Sequence, residues 1–387
     1  MSAPLTPTTT DAHVVVLPMG TDSIAGPVRT SAPLPAELLA AIQTNLESAS
    51  AKNTNLAYAS DWAAFERWCD DNGQVALPAD GPTVAAYLTD RGNVVKKTGE
   101  YAYAPSTLSR WLTSINAKHH GAGLPLPGSL AEVKRTLAGI RRTHVRPTRR
   151  MAPLLLNDLK KTLAGIDTRT FPAGIIGTRD SAILVMGFAG AFRRDELAVR
   201  RIEDITLDSD QGLKVHLLTS KTDQEGRGST KSLPFGANPL TCPPCAFLRW
   251  VRVLEASPGP RAGLMKVLRD SDSTVHICQL PTLELARLDP KQALFRPVRR
   301  GGNIGPNAIS GEVVNDLLKR RIEAVGMNPK RFGGHSMRAG FVTQALRAGA
   351  THREIMRQTG QLLESTVETY RREHDNLRDN AVQRIGL

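Results

Sequence analysis

Apolar positions recur at three- and four-residue spacing through most of the chain, which predicts a mainly α-helical protein. In residues 34–143 the repeats run Leu38, Leu39, Ile42, Leu46, then Leu56, Tyr58, Trp62, Phe65, Trp68 and Cys69. Asp80 ahead of Pro82 and Val84-Ala-Ala-Tyr-Leu88 reads as a capped helix start. A third helix begins at Ser106-Thr107 and carries Leu108, Trp111, Leu112 and Ile115. A fourth, over about 129–143, sets Leu130, Val133, Leu137 and Ile140 against Lys134, Arg135, Arg141 and Arg142 on its other face. From Leu154 onward the period stays helical, with one interruption at 213–235. There Val215 and Leu217 alternate, Glu225-Gly-Arg-Gly228 turns, and a second strand follows, which predicts a hairpin with Lys221 at its mobile end.

These elements divide into two domains, as a length of 387 residues leads one to expect. Residues 1–33, rich in Thr, Ala, Ser and Pro without periodicity, are expected to be a disordered tail. Residues 34–143 form a helical bundle, the Pro- and Arg-rich 144–153 a basic linker, and 154–387 a second, mostly helical domain with a small antiparallel sheet. No run approaches the length of a membrane span, and the N-terminus lacks a basic region followed by an apolar core. Four cysteines in this length point to a reducing compartment.

Charge narrows the function. Fifty basic against 37 acidic residues give a net +13, the footprint of a protein that grips a polyanion. Aromatic content of 5% disfavours single-strand binding by stacking platforms. Candidate DNA contacts are Ser106, Thr107 and Arg110 at the start of the third helix, Arg141 and Arg142 on the fourth, and Arg146, Arg149 and Arg150 in the linker.

Four segments carry candidate chemistry. Gly333-Gly-His-Ser-Met-Arg338 turns into a helix on which His335 and Arg338 share a face. Two cations so placed can clamp an oxyanion, and Tyr370, 32 residues on, offers a phenol as nucleophile. Upstream, Arg193 is followed at the third position by Glu196. Cys242-Pro-Pro-Cys245 has the spacing of a zinc or redox motif. Its possible partners Cys69 and Cys278 are distant in sequence, so it reads as a helix start before Ala246–Trp250, and no metal site is expected. Gly301-Gly-Asn-Ile-Gly305 lacks the Lys-Ser/Thr of a phosphate loop and reads as a turn before a helix at about 307–325.

Taken together, Arg193, Lys221, His335, Arg338 and Tyr370 in this order resemble the tyrosine recombinase (phage integrase) family, most closely its Cre-type members. Only Arg193, not Arg194, fits the family's Arg-two residues-Glu-aliphatic pattern, here ending in Glu196-Leu197. The resemblance implies a two-domain clamp on duplex DNA, with a SAM-like core-binding bundle and a catalytic domain. It implies that Arg193 and Arg338 grip the scissile phosphate, His335 donates or relays a proton, Lys221 protonates the leaving 5′-oxygen, and Glu196 orients the cations. Tyr370 would form a 3′-phosphotyrosyl link that stores the bond energy, so neither metal nor nucleotide cofactor is expected. Gln361 stands where the family has His or Trp and keeps an N–H donor.

The implied partner is double-stranded DNA with short inverted elements, bound by four protomers that exchange C-terminal helices. The stripe Leu377, Ala381, Val382 and Ile385 suits that exchange. The implied setting is the bacterial cytoplasm, on a mobile element. Two other readings share the chemistry or the fold: a type IB topoisomerase, and a catalytically silent DNA-binding protein.

Overall fold

A computed structural model of the chain describes residues 35–38, 40–41, 52–144, 151–217, 228–278, 288–374 and 385. The chain divides into two units, Met1–Arg146 and Pro147–Leu387.

The described part of the first unit holds α1 (Lys52–Asp71), α2 (Gly81–Gly92), α3 (Pro105–Gly121) and α4 (Ala131–Thr143). Asp80 caps α2 by accepting from the Thr83 N–H at 2.8 Å, and Pro82 sits in its first turn. The apolar face of each helix meets one core of Phe65, Tyr87, Leu88, Leu108, Ile115 and Val133. Tyr87 lies edge-on to Phe65 and Trp68, with centroids 5.0 and 5.3 Å away. Truncating Phe65, fully buried here, would cost about 3–5 kcal/mol. On α4 only Val133, Leu137 and Ile140 are buried, while Lys134, Arg135, Arg141 and Arg142 face solvent. His144 is buried and stacks on Tyr101, so the start of the basic linker segment packs within this unit.

The second unit begins by anchoring its own entry segment: the Ala152 and Leu154 N–H groups donate to the Arg331 and Ser336 carbonyls. Then come α5 (Leu156–Ala164), α6 (Ala173–Ala189) and the one-turn α7 (Arg194–Ala198). A sheet of β1 (Ile205–Asp208), β2 (Gly212–Leu217) and β3 (Ser229–Leu233) follows, antiparallel and in that order. Its register pairs Ile205 with Val215 and Val215 with Lys231. The hairpin read from the sequence is thus the second half of a three-stranded sheet; β1 is too short to show alternation. The turn and Lys221 lie outside the described residues.

Helices α8 (Pro243–Ala256), α9 (Arg261–Arg269), α10 (Gly311–Ala324), α11 (Ser336–Arg347), α12 (His352–Thr359) and α13 (Glu364–His374) complete the unit. Residues 307–310, expected to open α10, instead lead into Ser310, whose hydroxyl caps the helix at Val313 N–H. Helix α6 is apolar on nearly every side and is the buried axis of the unit, packed with Phe247, Trp250, Leu318 and Met337 in one core. Its fully buried Asp180 accepts from Arg179 and from Arg321 of α10, which ties the two helices by a paired, hydrogen-bonded charge. No helix among the described residues is long and apolar enough to cross a membrane.

Candidate active site

The site is built on the C-terminal end of α6, where the last carbonyls of a buried helix need partners. Three side chains from three elements supply them. Gln358 of α12 donates to Ala189 O at 2.7 Å, Lys231 of β3 to Gly190 O at 2.8 Å, and Arg338 of α11 to Ala191 O at 2.7 Å. Ala191 has φ of +45°, an uncommon conformation for a residue with a Cβ. That turn swings its carbonyl to Arg338 and directs the chain into Phe192 and Arg193.

Arg193 is the N-cap of α7. Its backbone N–H donates to Glu196 Oε2 at 2.9 Å and its Nη1 to Glu196 Oε1 at 2.5 Å. Glu196 is buried and holds the guanidinium by this two-point grip while part of Arg193 stays exposed. The neighbouring Arg194 turns away to pair with Glu312 of α10 at 2.8 Å. Arg338 is 2% exposed, and burial and the Arg193 charge both draw its pKa below the usual arginine value. An arginine stays charged under such a shift, so the pocket is a buried cation seeking an anion.

His335 sits at the N-cap of α11, exposed, one turn before Arg338. Its Nε2 lies 2.5 Å from the Tyr370 hydroxyl, and Tyr370 also interacts with Arg338. The Tyr370 ring belongs to a small apolar cluster with Ala339, Val342, Ile355 and Val367, so the phenol is fixed at its body and polar at its tip. The structure therefore brings Arg193, Glu196, His335, Arg338 and Tyr370 together. Gln361 is half-buried, and its Oε1 and backbone N–H both bond to the Thr359 hydroxyl in the turn leading to α13.

One participant was missed from the sequence. Lys231, 5% exposed, donates to Gly190 O and Gln358 O and lies 5.2 Å from the Phe192 ring. Burial pulls its pKa down to about 7, with Glu196 opposing and Arg338 and Arg193 reinforcing the shift. Its only sequence signal is strand parity: it shares the inward face of β3 with Leu233.

Of the candidate DNA contacts, Ser106, Arg141 and Arg142 are exposed, and Thr107 is half-buried. Arg141 donates to Ser109 Oγ at 2.9 Å. Arg110 pairs with the buried Asp61, which also accepts from Ser114, so much of its role is internal to the bundle. Arg146, Arg149 and Arg150 lie outside the described residues.

The Cys-Pro-Pro-Cys segment does begin a helix, with Cys242 as N-cap of α8 and Pro243 and Pro244 in the first turn. The companion expectation, that too few ligands lie near for a metal, is corrected. The fold carries Cys278 and His276 to the same place, and the four ligand atoms lie within 4.8 Å of one another.

No family model matches the chain. An integrase/recombinase xerD homolog of Selenomonas ruminantium is 29% identical over 343 residues, covering 88% of this chain and 87% of that protein. Recombinase cre of Escherichia phage P1 is 24% identical over 337 residues, covering 83% of each. Among solved structures, the Tn1549 transposon integrase in complex with transposon right-end DNA superposes with a TM-score of 0.54 at 14% identity, covering 86% of this chain and 93% of that one. The same integrase with circular-intermediate DNA gives 0.51 at 14% identity, covering 86% and 94%. A buried Arg338 and a partly exposed Arg193 beside a histidine-bonded phenol, on a mostly helical unit with a small sheet and with these likenesses, mark a DNA breaking-and-rejoining enzyme. Over most of its length the chain is similar to curated integrase and recombinase proteins, and its fold is that of the transposon integrase.

Proposed function

We propose that this protein is a site-specific DNA recombinase in which Tyr370 attacks a phosphodiester held between Arg193 and Arg338. The bond from Tyr370 Oη to phosphorus forms as the bond from phosphorus to the 5′-oxygen breaks, leaving a 3′-phosphotyrosyl enzyme and a free 5′-hydroxyl. The hydrogen bond between His335 and Tyr370 carries this reading, because an imidazole beside the phenol can take its proton as the oxygen attacks. The planar forks of Arg193 and Arg338 match the non-bridging oxygens and stabilise the charge that builds there. Lys221 supplies the leaving-group proton, and Lys231 holds the end of α6 beneath the arginines. Attack by a 5′-hydroxyl from a second duplex then rejoins the strand and passes through a Holliday junction.

The substrate is duplex DNA with short inverted elements, and four protomers assemble on two sites. The net charge of +13 and the exposed basic face of α4 support contact with the phosphate backbone. An enzyme of this kind works in the bacterial cytoplasm on a mobile element, as the transposon and phage origins of its relatives suggest. The discriminating experiment supplies two labelled duplexes cut from the gene's own flanks. Recombinant products joining the two labels are expected. Relaxation of supercoiled DNA with no exchange of label would point instead to a topoisomerase.

A further inference from the structure

Outside the DNA-cleaving pocket, Cys242, Cys245, His276 and Cys278 form the most chemically specific cluster among the described residues, and we propose that they bind one structural zinc ion. The ligand pairs are Cys-x2-Cys at the start of α8 and His-x-Cys in the segment after α9, 31 residues apart at their nearest members. Cys242 Sγ lies 3.9 Å from Cys278 Sγ, and His276 Nδ1 lies 3.4 Å from Cys245 Sγ and 3.7 Å from Cys278 Sγ. A tetrahedral zinc with its usual bond lengths has sulfur–sulfur edges of about 3.8 Å and sulfur–nitrogen edges of about 3.5 Å. Three of the six edges therefore already match a coordination tetrahedron, and the other three are no longer than 4.8 Å. Three sulfurs and one imidazole nitrogen select zinc over harder divalent ions.

The surroundings support ligation. The Gly236 and Ile277 N–H groups point at Cys242 Sγ and Cys245 Sγ, at 3.3 and 3.4 Å, and can hold thiolates. His276 Nε2 lies 3.5 Å from the Ala237 carbonyl; an N–H there leaves the Nδ1 lone pair for the metal. Three thiolates on a divalent ion leave one negative charge. Arg249, one turn along α8, sits beside it and donates to Pro239 O, Asp272 O and Val275 O, so it clamps both ligand-bearing segments. Cys242 and Cys245 are buried, and four protein ligands fill a tetrahedron. Such a site has no open position for substrate. Its role is to pin the start of α8 to the 276–278 segment, and α8 packs along α6, whose far end carries the phosphate-gripping residues.

The test is elemental analysis of the full-length protein purified under reducing conditions without chelator. About one zinc per chain is expected. A mercurial that blocks the thiols should release it to a chromophoric chelator, and zinc removal should lower Tm by roughly 5 °C or more, reversed by zinc re-addition. Cys278→Ser should lose the metal, while His276→Cys, which keeps four ligands, should retain it. Replacement by cobalt(II) should give the visible absorption of a tetrahedral thiolate site, a readout independent of DNA cleavage. A parent protein free of zinc that gains no Tm on its addition, one holding iron instead, or one in which two of these cysteines are joined as a disulfide, would overturn the proposal.

Discussion

Arg193 and Arg338 reach the same pocket by different means, and the difference sets what each can tolerate. Arg338 is enclosed and held by a backbone carbonyl, whereas Arg193 is half-exposed and depends on Glu196. From the sequence, Arg193, Glu196, His335, Arg338 and Tyr370 were legible as an ordered set through their resemblance to the tyrosine recombinase pattern, since Tyr370 has no local motif of its own. Lys231 was not, because its importance comes from burial against the end of α6, a contact across 41 residues. The two lysines should separate by chemistry. Lys221→Ala should slow cleavage, and a substrate with a 5′-bridging sulfur, whose leaving group needs no proton, should restore it. Lys231→Met should be slow on both substrates, since its loss leaves two carbonyls unpaired and loosens the pocket. Single-turnover cleavage rates check this; rescue of Lys231→Met with none for Lys221→Ala would exchange their roles.

At the scale of elements, long helices with one apolar face were readable, as α4 shows with Val133, Leu137 and Ile140. The one-turn α7 and four-residue β1 were not, being too short to complete a period. The metal cluster was hidden for another reason: its two ligand pairs meet only in three dimensions. Close approach of elements is also invisible to periodicity. Gly340 lies on α11 where a Cβ would stand 1.8 Å from Leu154 O. Gly340→Ala should destabilise the protein by about 1–3 kcal/mol or more and also depress cleavage, because α11 carries His335 and Arg338. Gly139, on α4 with open space around its Cβ position, is the control: Gly139→Ala should stabilise by about 0.5–1 kcal/mol. Denaturant midpoints of the two variants, read with adduct yield, test the pair.

At the scale of the whole molecule, the proposed strand exchange calls for several protomers acting on two DNA sites in concert. The segment Leu377, Ala381, Val382 and Ile385 lies after Tyr370 and, apart from Ile385, outside the described residues; Ile385 is exposed. In the proposed assembly the apolar spacing of these four residues is covered by a neighbouring protomer, through a contact that closes into a ring. Deleting 376–387 should spare binding of one protomer to a half-site but weaken cooperative binding to a full site by about tenfold or more. Half-site and full-site gel shifts check this. Unchanged full-site cooperativity and recombination would mean that the segment packs on its own chain.

Covalent bonding of Tyr370 to DNA would be read directly on a denaturing gel of the protein with end-labelled, nicked target DNA, followed by mapping of the linked peptide. The parent protein should give an adduct mapped to Tyr370. Tyr370→Phe, which removes only the phenolic oxygen and leaves both arginines in place, should bind the same DNA with similar affinity and give none. An adduct of normal yield in Tyr370→Phe, or a link mapped to another residue, would mean that the nucleophile is not Tyr370.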